Sequence, residues 1–282
     1  MVHLSSVPRP TEIDLLRVGI AGASGRMGRE IVAAAQGWSG VEIRGGLVRP
    51  GSRALERDSG VPLFTDIEAL AETVDVLIDV SASAATPWIA GAARQAGTPL
   101  VCGVTGLGEV GHAALESASR HVPVLYARNL SPGIAALLDL LPRLLAALPE
   151  ADVEIVETHH RGKKDAPSGT ADSLAEVVVR ARSELAEQRI VHGREGISPR
   201  QPGEIGIHSL RGGANSGEHT VLLATDGEEI RICHRALSRR TFADGALRAA
   251  EWIVQQPAGL YSMADVLAGL PRLLNRGGLP VD

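Results

Sequence analysis

Short apolar runs alternate with stretches of helical periodicity along the first half of the chain. Apolar runs bounded by polar or glycine residues predict buried strands, and apolar residues recurring every three or four positions predict helices. The predicted strands are Arg17–Ala21, Val41–Val48, Val74–Val80, Leu100–Gly103 and Val124–Ala127, and the predicted helices are Arg26–Gln36, Pro87–Gln95 and Glu109–Arg120. This alternation implies right-handed βαβ units and a parallel sheet, with a mixed α+β domain as the alternative.

After about Glu150 the pattern changes to strands that follow one another more closely. A strand pattern over Asp152–His159 precedes a helical pattern over Thr170–Gln188. Three further strand-like runs cover Glu204–Leu210, His219–Ala224 and Glu229–His234, and the dipeptide Asp226-Gly227 predicts a hairpin between the last two. The chain ends in predicted helices over Phe242–Gln255 and Ser262–Leu270. This second region is therefore expected to contain an antiparallel or mixed sheet.

The length fits one large domain or two modest domains, and the composition allows a substantial core. The chain has 282 residues, of which 44% are hydrophobic and only 2% aromatic. The core must therefore be built from Val, Leu, Ile and Ala, as in parallel sheets covered by helices. The net charge of −5 argues against a general nucleic-acid binder, which needs a basic surface.

The sequence also bears on the cellular compartment. Cys102 and Cys233 are the only cysteines, so no disulfide framework or cysteine-based zinc site is expected, and the reducing cytoplasm is the predicted location. The long apolar stretch Ile134–Leu148 contains Asp139, Pro142 and Arg143, which predicts a core helix rather than a membrane span. Residues 1–14 contain acids and prolines and no long apolar run, so no signal peptide is predicted.

A glycine-rich turn follows the first predicted strand and opens the first predicted helix. Gly22, Gly25 and Gly28 are spaced as GxxGxxG. Residues without a Cβ permit a tight turn and the close approach of a pyrophosphate to backbone N–H groups at a helix N-terminus. The segment predicts a dinucleotide site; a glycine-rich turn without a ligand is the alternative.

The end of the second predicted strand bears on which dinucleotide is preferred. An NAD-selective site usually has an Asp or Glu there to accept a hydrogen bond from the ribose 2′-OH. This chain instead has Val48, followed by Arg49, Ser52 and Arg53. Cations at this point suit the 2′-phosphate of NADPH, while the alternative is that these arginines are solvated loop charges.

The densest polar segment runs from Glu157 to Thr170, between a predicted strand and a predicted helix. It contains His159, His160, Arg161, Lys163 and Lys164 and then Ser168-Gly169-Thr170 at the helix start. Hydroxyls and N–H groups at a helix start can hold a carboxylate, Lys and Arg can neutralise a second one, and a histidine can deliver a proton near neutral pH. The segment therefore predicts a site that protonates a small dianionic substrate.

Three other interpretations of this segment remain. It could be a solvated basic loop, although Pro-Ser-Gly-Thr at a helix start disfavours that. It could bind phosphate or nucleic acid, which the negative net charge disfavours. His159 and His160 could bind a metal, but adjacent strand residues point to opposite faces and rarely share one ion, so no metal is predicted.

These motifs together resemble the dihydrodipicolinate reductase family, which acts in lysine and diaminopimelate biosynthesis. The resemblance extends from about Arg17 to Leu267. It rests on four segments: GASGRMG at the glycine turn, HHRGKKDAPSGTA from His159, SGEHT at Ser216–Thr220 and SRRTFADGA at Ser238–Ala246. The second of these is far more specific than a glycine turn alone.

The resemblance implies an architecture and a reaction. An N-terminal Rossmann domain over residues 1–130 would be rejoined by residues 241–282. A substrate-binding and oligomerisation domain with a mixed sheet would cover residues 131–240 and pair subunits into a homotetramer. The implied reaction is hydride transfer from NADH or NADPH to dihydrodipicolinate or its hydrated precursor, 4-hydroxytetrahydrodipicolinate, giving tetrahydrodipicolinate. No membrane or nucleic-acid partner is expected.

The resemblance also implies residue roles. His159 matches the general acid of the family, Lys163 matches its second proton-handling residue, and the glycine turn binds the cofactor. The implied substrate contacts are His160, Ser168, Gly169 and Thr170. The implied cofactor contacts are Gly22, Ala23, Ser24, Gly25, Arg26, Met27, Gly28, Gly103, Thr105, Gly106, Ala127, Asn129 and Ser131, to which the loop argument adds Arg49.

Departures from the family pattern all lie on the cofactor side. Val104 replaces a threonine, Val80-Ser81-Ala82-Ser83 replaces a Phe-Thr-x-Pro segment, and Val48 replaces an acid. We therefore expect NADPH to be used at least as well as NADH. A catalytically silent nucleotide-binding protein and a reductase of a different cyclic imine diacid are the alternative functions.

Overall fold

A computed structural model describes residues 15–52, 60–183 and 188–269. The first half forms a parallel sheet. Its strands are β1 (Leu16–Ala21), β2 (Val41–Leu47), β3 (Leu63–Phe64), β4 (Val76–Asp79), β5 (Leu100–Cys102) and β6 (Pro123–Tyr126). Its helices are α1 (Arg26–Ala35), α2 (Ile67–Ala71), α3 (Thr86–Ala96) and α4 (Gly108–Ser119). The predicted strands and helices of this half are all present, within three residues at each end.

The second half forms a smaller sheet and returns to the first sheet at its end. Its elements in chain order are α5 (Pro132–Ala147), β7 (Asp152–His159), α6 (Gly169–Ala181), β8 (Arg189–His192), β9 (Glu204–Arg211), β10 (Glu218–Ala224), β11 (Glu229–Arg235), α7 (Arg240–Ile253), β12 (Gly259–Tyr261) and α8 (Met263–Gly269). None of the helices in the described ranges is long and apolar enough to cross a membrane.

The two sheets have the predicted characters. The first has the strand order β12-β6-β5-β4-β1-β2-β3, and its neighbouring strands are all parallel. The second has the order β11-β10-β7-β9-β8; β10 is antiparallel to β7 and β11, whereas β9 is parallel to β7 and β8. The fold class predicted from the sequence is confirmed, and the hairpin at Asp226-Gly227 is present.

Three apolar clusters hold these layers together. One packs α1, α7 and α8 on one face of the first sheet, and a second packs α2, α3 and α4 on the other face. The third packs α5 and α6 on one face of the second sheet. The helix layer on one face of the first sheet thus combines helices from both ends of the chain. The loops at the carboxyl ends of β4 and β5 lie across a common cleft from the carboxyl end of β7.

One helix prediction was too long. Helix α6 ends at Ala181, whereas the periodicity predicted that it continues to Gln188. The backbone leaves helical geometry at Arg182, with φ −115°, and the buried guanidinium of this residue donates a 2.7 Å hydrogen bond to the carbonyl oxygen of Ala151. Of the predicted extension, residues 184–187 lie outside the described ranges.

Candidate active site

A cleft of about 500 Å³ lies between the two sheets. It is bounded by the glycine turn and two neighbouring loops on one side and by the polar segment after β7 on the other. The predicted site residues on its wall are Arg26, Met27, Gly103, Thr105, Asn129, His159, His160, Lys163, Ser168, Gly169 and Thr170. The fold therefore places residues from two motifs that are far apart in the sequence around the same cleft.

The glycine turn is shaped for a ligand that approaches the backbone. Gly22 has φ +87°, and a Cβ there would lie 2.8 Å from the Cα of Ser81. A Cβ on Gly28 would lie 2.6 Å from the Cα of Ala23, so α1 packs directly against the turn. Gly25 caps α1 without a side-chain hydrogen bond, and the N–H groups of Arg26 and Met27 have no partner in the described ranges. These features fit a dinucleotide pyrophosphate.

Two further loops complete the cofactor side of the cleft. Gly103 follows β5, and a Cβ at this position would lie 2.7 Å from Leu130, so the two loops pack closely. Asn129 links both sides of the cleft, because its side-chain amide donates to the Thr170 hydroxyl at 2.9 Å and its oxygen accepts from Ser131 N–H at 2.8 Å. Ser131 in turn caps α5 through Ile134 N–H.

The His159 imidazole is a nearly buried polar group on the wall of the cleft, and a carboxylate lies behind it. Only 11% of the His159 side chain is exposed, and the carboxylate of Glu157 is fully buried. The His159 Nδ1 lies 2.5 Å from Glu157 Oε2. Arg211 donates to both Glu157 oxygens, at 2.9 and 2.7 Å. Burial alone would raise the pKa of Glu157, but the hydrogen bonds from His159 and Arg211 hold it at about 2.

A second histidine supports this arrangement from β10. The ring of His219 meets that of His159 edge to face, with centroids 5.2 Å apart, and its Nε2 lies 2.9 Å from the Ser168 hydroxyl. Burial, together with the nearby His159, lowers the pKa of His219 to about 3. His219 is therefore a neutral imidazole at physiological pH.

Lys163 and His160 lie on the loop between β7 and α6. The Lys163 ammonium donates to Asp165 Oδ2 at 2.8 Å, and only 20% of its side chain is exposed. His160 accepts a hydrogen bond at Nδ1 from Gly162 N–H at 3.1 Å. Partial desolvation and the positive charges of Arg239 and Arg26 lower the pKa of His160. These cations give the cleft wall a positive field that suits an anionic ligand.

The start of α6 presents free donors to the cleft. Ser168 caps the helix by accepting from Ala171 N–H at 3.2 Å, and its own N–H donates to Glu157 at 3.2 Å. Within the described ranges, no hydrogen bond uses the N–H of Gly169 or Thr170. Two unpaired N–H groups at a helix N-terminus suit a carboxylate.

Several predicted cofactor residues lie away from the cleft wall. Gly22, Ala23, Ser24, Gly25 and Gly28 form the turn behind Arg26 and Met27. Val48 is buried, whereas Arg49 is exposed on the loop after β2. Ala127 lines a neighbouring cavity of about 740 Å³ between α5 and α6. Arg53 lies outside the described ranges.

Sequence reasoning gave no role to several residues of the cleft. Ser216, Arg239 and Phe242 line it, and all three fall in the segments SGEHT and SRRTFADGA, so their motifs were noticed without their individual positions. Arg128 also lines the cleft and forms a 2.7 Å ion pair with Glu176 of α6. In the ranges that the structure describes, no group of three His, Cys, Asp or Glu side chains could hold a metal ion.

Comparison with protein families gives matches along most of the chain. Residues 16–130 match the family model described as dihydrodipicolinate reductase, N-terminus. Residues 133–267 match the model described as dihydrodipicolinate reductase, C-terminus. The boundary between these two matches lies in the loop that joins β6 to α5.

Two relatives of similar length are both named 4-hydroxy-tetrahydrodipicolinate reductase. A 4-hydroxy-tetrahydrodipicolinate reductase from Granulibacter bethesdensis is 47% identical over 257 residues, which cover 89% of this chain and 97% of the relative. One from Rubrobacter xylanophilus is 46% identical and is covered over its whole length, with 91% of this chain.

Solved structures show the same fold. The dipicolinate-bound dihydrodipicolinate reductase from Paenisporosarcina sp. TG-14 has a TM-score of 0.70 at 24% identity, covering 88% of this chain and 97% of that one. A probable dehydrogenase from Thermotoga maritima has a TM-score of 0.59 at 13% identity, covering 89% of this chain and 92% of that one.

Proposed function

This chain belongs to the dihydrodipicolinate reductase family, and from that premise we propose that the cleft reduces dihydrodipicolinate or its hydrated precursor, 4-hydroxytetrahydrodipicolinate. The enzyme is an NAD(P)H-dependent oxidoreductase of lysine and diaminopimelate biosynthesis. The observation that carries the proposal is the buried His159 on the wall of a cleft whose opposite wall is a dinucleotide turn.

The reaction consumes one hydride and one proton. The hydrated precursor first loses water, and dihydrodipicolinate, NAD(P)H and a proton then give tetrahydrodipicolinate and NAD(P)+. The nicotinamide cofactor, when bound, supplies the hydride. The protein must hold the substrate ring beside the cofactor and deliver the proton to the ring.

We assign the proton delivery to His159, assisted by Lys163. Within the described ranges, His159 makes its hydrogen bond through Nδ1, so Nε2 is left for the ligand. Lys163 faces the same cleft as an ammonium paired with Asp165. An ammonium at this position can orient an anionic substrate and stabilise negative charge that develops on the ring.

The two substrate carboxylates have different receptors in this proposal. The unpaired N–H groups of Gly169 and Thr170 receive one carboxylate, with the Ser168 cap fixing the helix start. His160 and the nearby Arg239 lie on the same wall and suit the second. The Arg239 guanidinium also has the charge to pair with a phosphate of the cofactor. The proposed contact between His160 and the substrate carboxylate is the same in either case.

The cofactor preference follows from the loop after β2. Leu47, the last residue of β2, accepts a hydrogen bond from Gly22 N–H at 3.1 Å, so this loop lies beside the glycine turn. Val48 offers no acceptor side chain to a ribose 2′-OH, and the exposed Arg49 is free to meet a 2′-phosphate. We propose that NADPH is used at least as well as NADH, with a mild preference.

The second sheet supports a further proposal, a homotetramer. Helices α5 and α6 cover one of its faces. On the opposite face, the loop 193–203 reaches Glu154 through Arg194 and Arg200. Over β10 and β11 that face carries half-buried Thr220 and Leu222 opposite exposed Cys233 and Arg231. We propose that subunits pair here; the molar mass from light scattering tests it, and a monomer contradicts it.

Two other assignments remain proposals. The domain limits 1–130 with 241–282, and 131–240, are supported by β12, which joins the first sheet beside β6. A cytoplasmic location is supported by the pathway and by the free cysteines Cys102 and Cys233.

The experiment that tests the function is a coupled assay. Purified dihydrodipicolinate synthase generates the substrate, and the loss of NADPH or NADH absorbance is followed with and without this protein. Substrate-dependent oxidation supports the proposal. Cofactor binding without oxidation indicates the silent binding protein, and oxidation only with a different cyclic imine diacid indicates the other alternative.

A further inference from the structure

A fully buried carboxylate, that of Glu157, lies behind His159. Strand β7 alternates buried and half-buried positions, so that Val153, Ile155, Glu157 and His159 share the face covered by α5 and α6. Glu157 is fully buried and does not line the cleft, while His159 does. Glu157 therefore touches the imidazole and not the space of the ligand.

The geometry fixes which nitrogen of His159 carries hydrogen. An ionised carboxylate only accepts hydrogen bonds, so the 2.5 Å contact requires a proton on His159 Nδ1. The Nε2 atom then faces outward, where Gly217 has φ +141° and a Cβ would lie 3.0 Å from that nitrogen. The missing side chain at Gly217 leaves Nε2 accessible.

Arg211 keeps the carboxylate ionised. It donates to both oxygens of Glu157, and Ser168 N–H supplies a further donor. The same guanidinium donates to the Asp165 carbonyl oxygen at 2.6 Å, on the loop that carries Lys163. One arginine therefore holds both the carboxylate behind His159 and the loop in front of it.

Charged and titratable groups approach His159 from several elements. Glu157 lies on β7 beside it, and Arg211 of β9 is paired with Glu157. His219 of β10 is neutral because burial and the nearby His159 lower its pKa to about 3. His160, Lys163 and Asp165 lie on the following loop. Glu157 is the only carboxylate of this set that contacts the imidazole directly.

We infer that Glu157, held by Arg211, is the positioning residue that fixes the tautomer and the orientation of the His159 imidazole for proton delivery. The inference rests on the proposed reductase function. It adds a residue that acts through His159 rather than on the substrate.

The main test is the charge-removing variant Glu157→Gln, which keeps the size of the side chain. We expect kcat to fall by about 10- to 100-fold, the usual scale for a group that orients a catalytic or metal-bound histidine. KM values for substrate and cofactor should change less than about threefold. Glu157→Asp should recover part of the loss.

The same strand offers a matched control. Glu154 accepts from His208 Nε2 at 2.7 Å and from Arg194 at 3.2 Å, away from the cleft and under the loop 193–203. Glu154→Gln removes a carboxylate of the same kind, and kcat should stay within about twofold of wild type. An equal loss of kcat in both variants, or a Glu157→Gln enzyme with the wild-type kcat, overturns the inference.

A measurement on the unmodified protein keeps the inference testable if Glu157→Gln does not fold. Nitrogen-15 NMR of histidine-labelled protein, with the signal assigned through His159→Gln, should show Nδ1 protonated in the neutral form of His159. A neutral ring protonated on Nε2 overturns it. Because this spectrum needs no turnover, it separates a failure of the positioning role from a failure of the reductase function.

Discussion

The two groups assigned to proton handling are held in different ways. His159 is nearly buried against Glu157, whereas Lys163 is tethered by one exposed carboxylate, that of Asp165. The imidazole is therefore held by a buried partner, whereas the ammonium is held by a solvent-exposed one. This difference predicts different consequences when each residue is removed.

We expect His159→Gln and Lys163→Ala each to lower kcat by at least ~100-fold, the usual scale for the loss of general acid catalysis. Lys163→Ala should also raise KM for the diacid, because it removes a cation from the cleft wall. Steady-state kinetics with circular dichroism as the folding control measure both effects. Near-normal turnover in both variants would contradict the assignment.

The substrate anchor at the start of α6 can be tested by adding bulk. A Cβ at Gly169 would lie 3.8 Å from Arg128 Cδ, an ordinary contact, so the protein itself tolerates a side chain there. Gly169→Val should therefore raise KM for the diacid while the cofactor Kd stays unchanged, since only the ligand meets the new side chain. Equal loss of cofactor affinity would show that this loop belongs to the cofactor half of the cleft.

The role of Arg49 can be read from the ratio of kcat/KM for the two cofactors. A charge-assisted hydrogen bond is worth about 1.5–3 kcal/mol, and exposure of Arg49 reduces this toward the lower end. Arg49→Ala should weaken NADPH by roughly tenfold and leave NADH unchanged, while Val48→Glu should favour NADH. A wild-type enzyme tenfold better with NADH, or an unchanged ratio in Arg49→Ala, would mean that Arg49 is only a surface charge.

At the scale of elements, one glycine decides how closely α7 approaches the loop that joins β6 to α5. A Cβ on Gly245 would overlap the carbonyl oxygen of Leu130 and lie 2.9 Å from its carbonyl carbon. A side chain at this position forces α7 away from the loop that carries Asn129. The glycine is required for packing rather than for an unusual backbone conformation.

We therefore expect Gly245→Ala to destabilise the protein by about 1–3 kcal/mol, as overpacking does. Gly91 in α3 is the matched control, since a Cβ there has no heavy atom within 4 Å. Gly91→Ala should be stabilising by about 0.5–1 kcal/mol, because alanine is the better helix former. Urea denaturation midpoints measure both changes, and a Gly245→Ala variant as stable as wild type would contradict the packing argument.

The elements that the sequence predicted well are those with strong periodicity, and those it missed are short or exposed. Strand β7 was predicted with its bounds because its alternation is strict. Strand β8 was missed because three of its four residues are exposed. Its sequence therefore lacks the alternation of apolar and polar residues that marks a half-buried strand. Strand β3 has two residues and β12 has three, beginning with a glycine; these strands exist because a neighbouring strand offers them backbone partners.

Site residues follow the same division. Gly169, Thr170 and His159 belong to one contiguous motif, so the sequence alone brought them together. The i, i+2 spacing of Glu157 and His159 on a strand was a signal of a shared face. Arg211 carried no such signal, because its contact with Glu157 depends on the register between β7 and β9, which only the folded sheet defines.

At the scale of the whole molecule, the Glu157–Arg211 pair links stability to pH. The pKa of Glu157 is lowered to about 2 from an ordinary value of 4.5. A lowered carboxyl pKa stabilises the fold above the unfolded-state value, and this contribution is lost as the pH falls through the folded-state value. The contribution of the charge should therefore be complete near neutral pH and disappear between about pH 4.5 and pH 2.

Urea-induced unfolding of the wild type and of Glu157→Gln at about pH 7, 4 and 3 measures this contribution. The difference in free energy of unfolding should be largest near pH 7 and should shrink as the pH falls. Both proteins share every other titrating group, so the contributions of those groups to the difference in free energy of unfolding largely cancel. A difference that is constant with pH would show that the variant loses packing rather than an ionised pair.

The return of the chain to its first sheet has a consequence for synthesis on the ribosome. The face of the first sheet that receives α7 is completed by Ala243, Ala246, Leu247, Ala250 and Ile253, all fully buried, and β6 gains its outer neighbour only with β12. The N-terminal half emerges first, with an apolar face and an open strand edge, and must wait until the substrate-side sheet has been made. During that interval the open strand edge can pair with the same edge of another nascent copy, and slower synthesis lengthens the exposure.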